Sequence, residues 1–171
     1  MKIEDALKVA ERVLGILRPL SLRVEIAGSV RRRRPEVGDL EVVCIPGEVG
    51  CPDLFDAAAT CRSQDWIRAV YGLGSVVKGD PISGKYIQVT LPEGINLDLF
   101  LARCVNWGLI LAIRTGSARF SHAVLARGWC AAGYRSIDGM LWAGGRPVPV
   151  REEAELFEKI HVPWVEPGRR E

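Results

Sequence analysis

Gly28-Ser29-Val30-Arg31-Arg32 and, five residues later, Gly38-Asp39-Leu40-Glu41 are the two segments that decide how the first half of this chain folds. The first segment ends an alternating run over residues 22–27, which is typical of a half-buried strand. The second opens a mostly apolar run over residues 40–45, which predicts a strand buried on nearly both faces. Between them Pro35 disfavours a helical conformation at the preceding residue, so we expect only a short helix or turn after Ser29.

Three acids are placed as ligands of divalent metals would be. Alternate residues of a strand point to the same face, so Asp39 and Glu41 are expected to lie side by side. Asp98 is the only other acid inside a convincing strand with apolar neighbours on both sides, and its burial is costly unless it is paired or metal-bound. Hard divalent cations prefer carboxylate oxygens. Each acid alone also fits a solvated or salt-bridged residue, and only the set predicts a metal site.

The turn at Gly28-Ser29 and the four arginines after it predict a phosphate site beside these acids. Ser29 and the backbone N–H groups near it are suited to hold an anion. Phosphoryl transfer requires an aligned hydroxyl and neutralisation of the developing negative charge. The combined arrangement predicts nucleotidyl transfer. Taken separately, Ser29 fits an ordinary cap, and residues 31–34 fit a solvated run of charge.

The rest of the chain predicts an α+β protein with a mixed β-sheet. We predict helices over 3–18, 53–70, 105–113, 117–132 and 152–160, strands over 75–78, 86–91 and 95–102, and a hairpin of 134–137 with 140–142. Asp138-Gly139 is a strong signal for a tight hairpin turn. The residues after 163 are expected to be irregular. This order predicts a body over residues 1–103 and a smaller α/β lobe over residues 104–171.

Composition indicates a soluble intracellular protein, which we expect to be cytoplasmic. The 171 residues are 48% hydrophobic, enough for the core of one domain or of one compact two-lobed unit. The chain has no apolar run long enough to cross a membrane and no signal-peptide pattern. Its five cysteines are odd in number and lack C-x-x-C spacing, so we expect reduced thiols and give a zinc site little weight.

Positive charge is concentrated in the second half of the chain. Between Arg103 and Arg151 there are seven arginines and one acid, Asp138, so this segment carries +6 although the whole chain carries only +2. A one-sided basic lobe is typical of a protein that binds a polyanion such as nucleic acid. A solvated arginine-rich surface is an equally simple interpretation of the charge alone.

The joint motif set resembles the DNA polymerase β-like (family X) nucleotidyltransferases over roughly residues 1–171. The resemblance rests on the two opening segments, on Leu97-Asp98-Leu99, on Arg114-Thr115-Gly116-Ser117 and on Glu166-Pro167-Gly168-Arg169-Arg170. It implies a nucleotidyltransferase palm followed by a small lobe that binds nucleotide and DNA. The chain is similar to the minimal form that lacks the lyase and helix-hairpin-helix domains, so no abasic-site lyase activity is expected.

The resemblance also implies roles for individual residues. Asp39, Glu41 and Asp98 would be the catalytic acids and would hold two Mg²⁺ or Mn²⁺ ions. The other implied nucleotide-binding residues are Gly28, Ser29, Arg32 and Gly38 at the phosphates and Thr115, Gly116 and Ser117 at the sugar. The implied DNA-binding residues are Arg114, Arg119, His122 and Arg127, although His122 fits an exposed helix residue equally well.

The chain departs from the family pattern at three places near the implied site. Glu41 stands where the best-known members carry aspartate, so one extra methylene must be accommodated. Asn96 stands where arginine is familiar, and Ile113-Arg114 replaces an aromatic pair. These changes leave metal preference and sugar discrimination open.

The function implied is that of a small DNA-directed DNA polymerase. It would add a deoxynucleotide to a primer 3′-hydroxyl, most naturally in gap filling during DNA repair. We expect a monomer of viral or bacterial origin with DNA and dNTP as partners and no membrane association. One alternative keeps the acids but transfers the nucleotide, without a template, to an RNA end, a protein or a small molecule. Another is a non-catalytic DNA-binding module.

Overall fold

A computed structural model of the chain describes residues 1–49 and 61–171. Its helices are α1 (Ile3–Leu17), α2 (Gly28–Arg31), α3 (Gln64–Leu73), α4 (Trp107–Thr115), α5 (Ala118–Phe120), α6 (Arg127–Ala131) and α7 (Glu153–Lys159). A π-helical segment, Ser121–Ala126, joins α5 to α6, and 3₁₀ turns lie at Arg18–Leu20 and Pro167–Arg169. The strands are β1 (Ser21–Ile26), β2 (Asp39–Pro46), β3 (Glu48–Val49), β4 (Cys61–Arg62), β5 (Ser75–Lys78), β6 (Tyr86–Thr90), β7 (Asn96–Leu101), β8 (Arg135–Ile137), β9 (Met140–Ala143) and β10 (Arg146–Val148).

The larger sheet has five strands in the order β1-β2-β7-β6-β5. β2 and β7 run parallel, and the other neighbouring pairs run antiparallel. A smaller sheet has the order β10-β9-β8. The expectation of an α+β protein with a mixed sheet is therefore confirmed.

The two faces of the larger sheet are covered differently. On one face α1 and α3 bury the main apolar core, to which the strands contribute Val24, Leu40, Val42, Cys44, Ile87, Val89, Leu97 and Leu99. On the other face Val43 and Ile45 belong to an apolar cluster with residues of α4. The first half of β2, with Asp39 and Glu41, is partly exposed on this second face. The helices thus leave the acid end of the sheet open to solvent.

A separate apolar cluster forms the core of the C-terminal part of the chain. Its buried members are Leu109, Ala112, Phe120, Leu125, Leu141, Val150, Leu156, Phe157 and Ile160. The predicted hairpin is confirmed, because Asp138 and Gly139 have φ of 53° and 73° and so form the tight turn between β8 and β9. A second turn at Gly144-Gly145 leads into β10, a strand that we did not predict.

The start of helix α3 differs from the sequence prediction for a local reason. The helix predicted over 53–70 is wrong at residues 61–63, because Cys61–Arg62 pairs as a strand with Glu48–Val49. Helix α3 begins at Gln64, where the Ser63 hydroxyl accepts a hydrogen bond from the Trp66 N–H at 3.1 Å. Residues 53–60 lie outside the described ranges. No helix in the described part is both long and apolar enough to cross a membrane.

A buried carboxylate joins the C-terminal part to the turn after β1. Glu153 is 6% exposed and accepts hydrogen bonds from both terminal nitrogens of Arg31, at 2.9 and 2.6 Å. It also accepts one at 2.5 Å from Arg170, which is fully buried over the rings of Phe157 and Trp164. This Arg31–Glu153–Arg170 triad ties together α2, α7 and the last residues of the chain.

We predict that Glu153→Gln destabilises the fold by roughly 3–5 kcal/mol, because it leaves two guanidinium groups beside a neutral partner. The matched control is Glu152→Gln, whose carboxylate pairs with Arg23 but is 54% exposed. Glu152→Gln is expected to lower the free energy of unfolding by about 1 kcal/mol or less. Urea unfolding of both variants measures the difference, and equal midpoints would contradict the assigned role of the triad.

Candidate active site

The parallel pairing of β2 with β7 places the three predicted acids together. Glu41 lies directly opposite Asp98 in the register, and Asp39 lies two residues earlier on β2 and therefore on the same face. Burial and the charge of Asp98 raise the pKa of Asp39. Burial, followed by the charge of Asp39, raises the pKa of Glu41 to about 7. The structure therefore brings the three carboxyl groups close enough to repel one another.

Asp98 is held in place by the neighbouring strand. Its Oδ1 accepts hydrogen bonds from the Tyr86 hydroxyl and the Gln88 side-chain amide, each at 2.8 Å. Burial and then the bond to Asp98 raise the pKa of Tyr86 to about 12, so the phenol stays protonated and donates. In the described part of the chain, Oδ2 has no hydrogen-bond partner and is free for a ligand. We did not predict Tyr86 or Gln88, although their alternation with Ile87 places them on the acid face.

Gly28 provides the space that Glu41 needs. It has a φ of 60°, and a Cβ added to it would overlap Oε2 of Glu41. Because Gly28 has no side chain, there is room beside it for Glu41, whose side chain is one methylene longer than that of aspartate. Next to it, the Ser29 hydroxyl oxygen is buried without a hydrogen-bond partner among the described residues. A buried hydroxyl without a partner beside the acids is suited to a polar ligand.

The four arginines after Ser29 have different surroundings. Arg31 donates to Glu153 and also to the Thr115 hydroxyl at 2.6 Å. Arg32 donates to the Thr115 carbonyl at 2.7 Å and to the Glu171 carboxylate at 3.1 Å. The pKa values of Asp39 and Glu41 are raised overall, but the positive charge of Arg32 acts in the opposite direction on both. Arg32 therefore lies close enough to the acids to influence them. Arg33 and Arg34 are exposed.

The remaining predicted nucleotide-binding residues lie in two places, in the loop that precedes β2 and in the turn at the end of α4. Gly38 is exposed and directly precedes β2. Thr115 is fully buried as an acceptor for Arg31 and Arg32. The Ser117 hydroxyl caps α5 at 3.1 Å from the Phe120 N–H, and its own N–H donates to the Arg170 carbonyl. The Thr115-Gly116-Ser117 turn thus joins α4, α5 and the chain's end, and its contact with a sugar stays a prediction.

The predicted DNA-binding residues fall into two groups. Arg114 projects from the last turn of α4 with its guanidinium carbon 3.8 Å from the ring centre of Phe100, and its charge lowers the pKa of Glu41. The structure therefore brings Arg114 to the acids. Arg119, His122 and Arg127 are exposed on the helical segment after α4 and contribute nothing to the pKa shifts of the acids.

The three acids do not form a ready-made metal site. Within residues 1–49 and 61–171, no group of three or more His, Cys, Asp or Glu side chains is placed so that it could hold a metal ion. The donors are nevertheless carboxylate oxygens, which hard cations prefer. Burial first, and the charges of the neighbouring acids second, raise the pKa values of Asp39 and Glu41, and a bound cation would favour the ionised forms. The donor chemistry of the three acids suits a divalent ion, whereas their arrangement in the described residues does not form a metal-holding group.

No protein-family model matches the chain, and no curated protein is significantly similar to it. Membership of the family X nucleotidyltransferases stays a prediction that rests on the motifs. The evidence for function is therefore the arrangement of the site itself.

We predict that Gly28→Ala strongly impairs folding or nucleotide binding, because the added methyl group overlaps the Glu41 carboxylate and the backbone is left-handed there. Gly15→Ala on the exposed side of α1 is the control, since its Cβ would meet nothing within 4 Å. Unfolding midpoints and the affinity for dATP check both variants. Equal behaviour of the two would show that Gly28 does not have to make room for Glu41.

The pKa of Glu41 predicts a specific pH dependence of stability. The folded carboxyl keeps its proton up to about pH 7, whereas the unfolded one releases it near 4.5, so the free energy of unfolding falls as the pH rises between these values. Glu41→Gln is expected to be more stable than wild type at pH 8, by up to about 3 kcal/mol, and to lose this advantage below pH 5.

Urea unfolding at pH 5 and pH 8 measures this effect, with Glu25→Gln on the exposed side of β1 as the control. Mg²⁺ or Mn²⁺ at pH 8 is expected to raise the midpoint of wild type more than that of Glu41→Gln. A Glu41→Gln variant with the wild-type pH profile would show that this carboxyl ionises normally.

Proposed function

We propose that this chain is a nucleotidyltransferase of the DNA polymerase β-like kind, which adds a deoxynucleotide from a dNTP to the 3′-hydroxyl of a DNA primer. The observation that carries the proposal is the alignment of three carboxyl groups on one sheet face, beside a glycine-serine turn whose hydroxyl has no hydrogen-bond partner among the described residues. The larger mixed sheet would be the palm of such an enzyme. Gap filling in DNA repair is the proposed biological role.

The triphosphate would lie on the side of the acids nearest Gly28. Ser29 would donate its hydroxyl to a phosphate oxygen, and Arg32 would supply positive charge. Arg32 is already oriented by the Thr115 carbonyl, so its guanidinium needs little further ordering. Asp39, Glu41 and Asp98 would hold Mg²⁺ or Mn²⁺, which when bound neutralises charge developing on the phosphoryl oxygens.

Asp98 is placed to act on the attacking hydroxyl. Tyr86 and Gln88 fix its Oδ1, which leaves Oδ2 to accept the proton of the primer 3′-hydroxyl. As that O–H bond breaks, the 3′-oxygen forms a bond to the α-phosphorus. The bond from the α-phosphorus to the bridging oxygen breaks, and pyrophosphate leaves with the electron pair.

DNA is the proposed acceptor because of the charge of the second half of the chain. The segment from Arg103 to Arg151 carries seven arginines against one acid, which favours sequence-independent, salt-sensitive binding to a phosphate backbone. The same acids would equally serve transfer to an RNA end, a protein or a small molecule. An assay is therefore needed to identify the acceptor, and the reaction type is the part of the proposal that the three acids support.

Primer extension on gapped, templated and untemplated DNA with Mg²⁺ or Mn²⁺ tests the proposal. We predict incorporation by wild type and a loss of at least about 100-fold in Asp98→Asn, because the proton acceptor is removed. Asp65→Asn on the exposed side of α3 is the control and should retain activity. Full activity of Asp98→Asn would refute the site. DNA binding without incorporation would instead favour the non-catalytic module.

A further inference from the structure

Arg32, the arginine that we assign to the triphosphate, already holds a carboxylate. Its Nε donates to Oε1 of Glu171 at 3.1 Å, while its Nη1 donates to the Thr115 carbonyl at 2.7 Å. The Arg32 side chain is only 12% exposed, whereas that of Glu171 is 44% exposed. A largely buried cation beside the acid site is therefore paired with an exposed acid from the other end of the chain.

A second arginine approaches the same carboxylate oxygen. Nη1 of Arg34 lies 3.6 Å from Oε1 of Glu171. The backbone brings Arg34 there, because Arg33 has a left-handed φ of 57° and the Arg34 N–H donates to the Ser29 carbonyl at 3.0 Å. Guanidinium groups bind carboxylates and phosphates through the same fork of N–H donors. The Glu171 carboxylate thus takes the place on Arg32 that a phosphate group would take.

The neighbour of Glu171 keeps this acid in position. The fully buried Arg170 donates to the Glu153 carboxylate and, from its Nε, to the Val165 carbonyl at 2.8 Å. Its own carbonyl accepts a hydrogen bond from the Ser117 N–H at 2.9 Å. The backbone of Glu171 therefore starts from a fixed point. A carboxylate tethered in this way has a high local concentration beside Arg32, unlike a carboxylate free in solution.

The pairing of Glu171 with Arg32 opposes the binding of a nucleotide. A phosphate oxygen that approaches Arg32 meets the negative charge of Glu171 and competes with it for the same guanidinium. Hydrogen bonds from a guanidinium to phosphate are charge-assisted, and a triphosphate carries several negative charges where the carboxylate carries one. A partly exposed ion pair adds little stability, so the nucleotide can displace the carboxylate.

We infer that Glu171 is a built-in competitor of the triphosphate, whose carboxylate occupies Arg32 in the free protein and leaves it when the nucleotide binds. The inference rests on the proposed function, in which Arg32 binds phosphate, and adds a residue that sets the affinity of that site. The apparent affinity for nucleotide is reduced by the fraction of molecules in which Arg32 is paired with Glu171. The sequence prediction did not include Glu171 among the nucleotide-binding residues.

Calorimetric titration with dATP tests the inference. Glu171→Gln removes the charge but keeps a side-chain oxygen that accepts a hydrogen bond from Arg32, and it is expected to lower the Kd about 3- to 10-fold. Glu158→Gln removes the same charge from the exposed side of α7 and is expected to change the Kd less than about 2-fold. An unchanged Kd in Glu171→Gln would overturn the inference. So would a higher Kd, which would show that Glu171 prepares Arg32 for the nucleotide.

A double-mutant cycle shows whether the effect passes through Arg32. In an Arg32→Gln background, Glu171→Gln is expected to change the Kd for dATP less than about 2-fold. A full gain of affinity in that background would overturn the inference, because Glu171 would then act elsewhere.

Primer extension by the same proteins separates the inference from the proposed function. If Glu171→Gln binds dATP more tightly through Arg32 but neither it nor wild type incorporates nucleotide, the inference stands and the proposed function fails. If both proteins incorporate nucleotide and bind dATP with the same Kd, the proposed function stands and the inference is overturned.

Discussion

The carboxylate of Glu153 lies buried between the guanidinium groups of Arg31 and Arg170, and this triad ties the helix that carries the glycine-serine turn to α7 and the last residues of the chain. A buried charge is tolerated only with well-placed partners, so α7 and the chain's end cannot move without Arg31. Arg31 in turn belongs to α2, the helix that carries the glycine-serine turn. The same residue also bonds Thr115 at the end of α4. One ionic centre therefore fixes the proposed phosphate side of the site relative to the helix above the sheet.

Asp39 and Glu41 destabilise the folded chain when they are ionised. Burial, and then the charges of the neighbouring acids, raise the pKa values of Asp39 and Glu41, so their ionised forms are less stable in the folded chain than in water. Nothing in the core of the sheet requires this arrangement, because α1 and α3 pack on the opposite face. Charged groups that lower stability at one partly exposed face of a sheet are characteristic of functional sites, because a bound ligand would balance their charge.

Local rules predicted the parts of the structure that local interactions determine. Side chains of a strand alternate between its two faces, which predicted that Asp39 and Glu41 lie on the same face. The Asp138-Gly139 pair predicted a tight turn. Both effects act over two or three residues. The burial of Arg31 against Glu153 joins residues 122 positions apart in sequence and has no local signal. The start of α3 was missed for another reason: Ser63 is a recognisable cap, but the apolar pattern before it extended the predicted helix.

The four consecutive arginines, residues 31–34, have different surroundings in the structure and therefore different roles. On a short helix that ends at Arg31, consecutive side chains point in different directions, so a charge run cannot act as one patch. Arg31 turns inward to Glu153, Arg32 lies against Thr115 with its field on the acids, and the next two face solvent. Arg31 therefore positions the site, and Arg32, although it also pairs with Glu171, is the one of the four whose charge acts on Asp39 and Glu41.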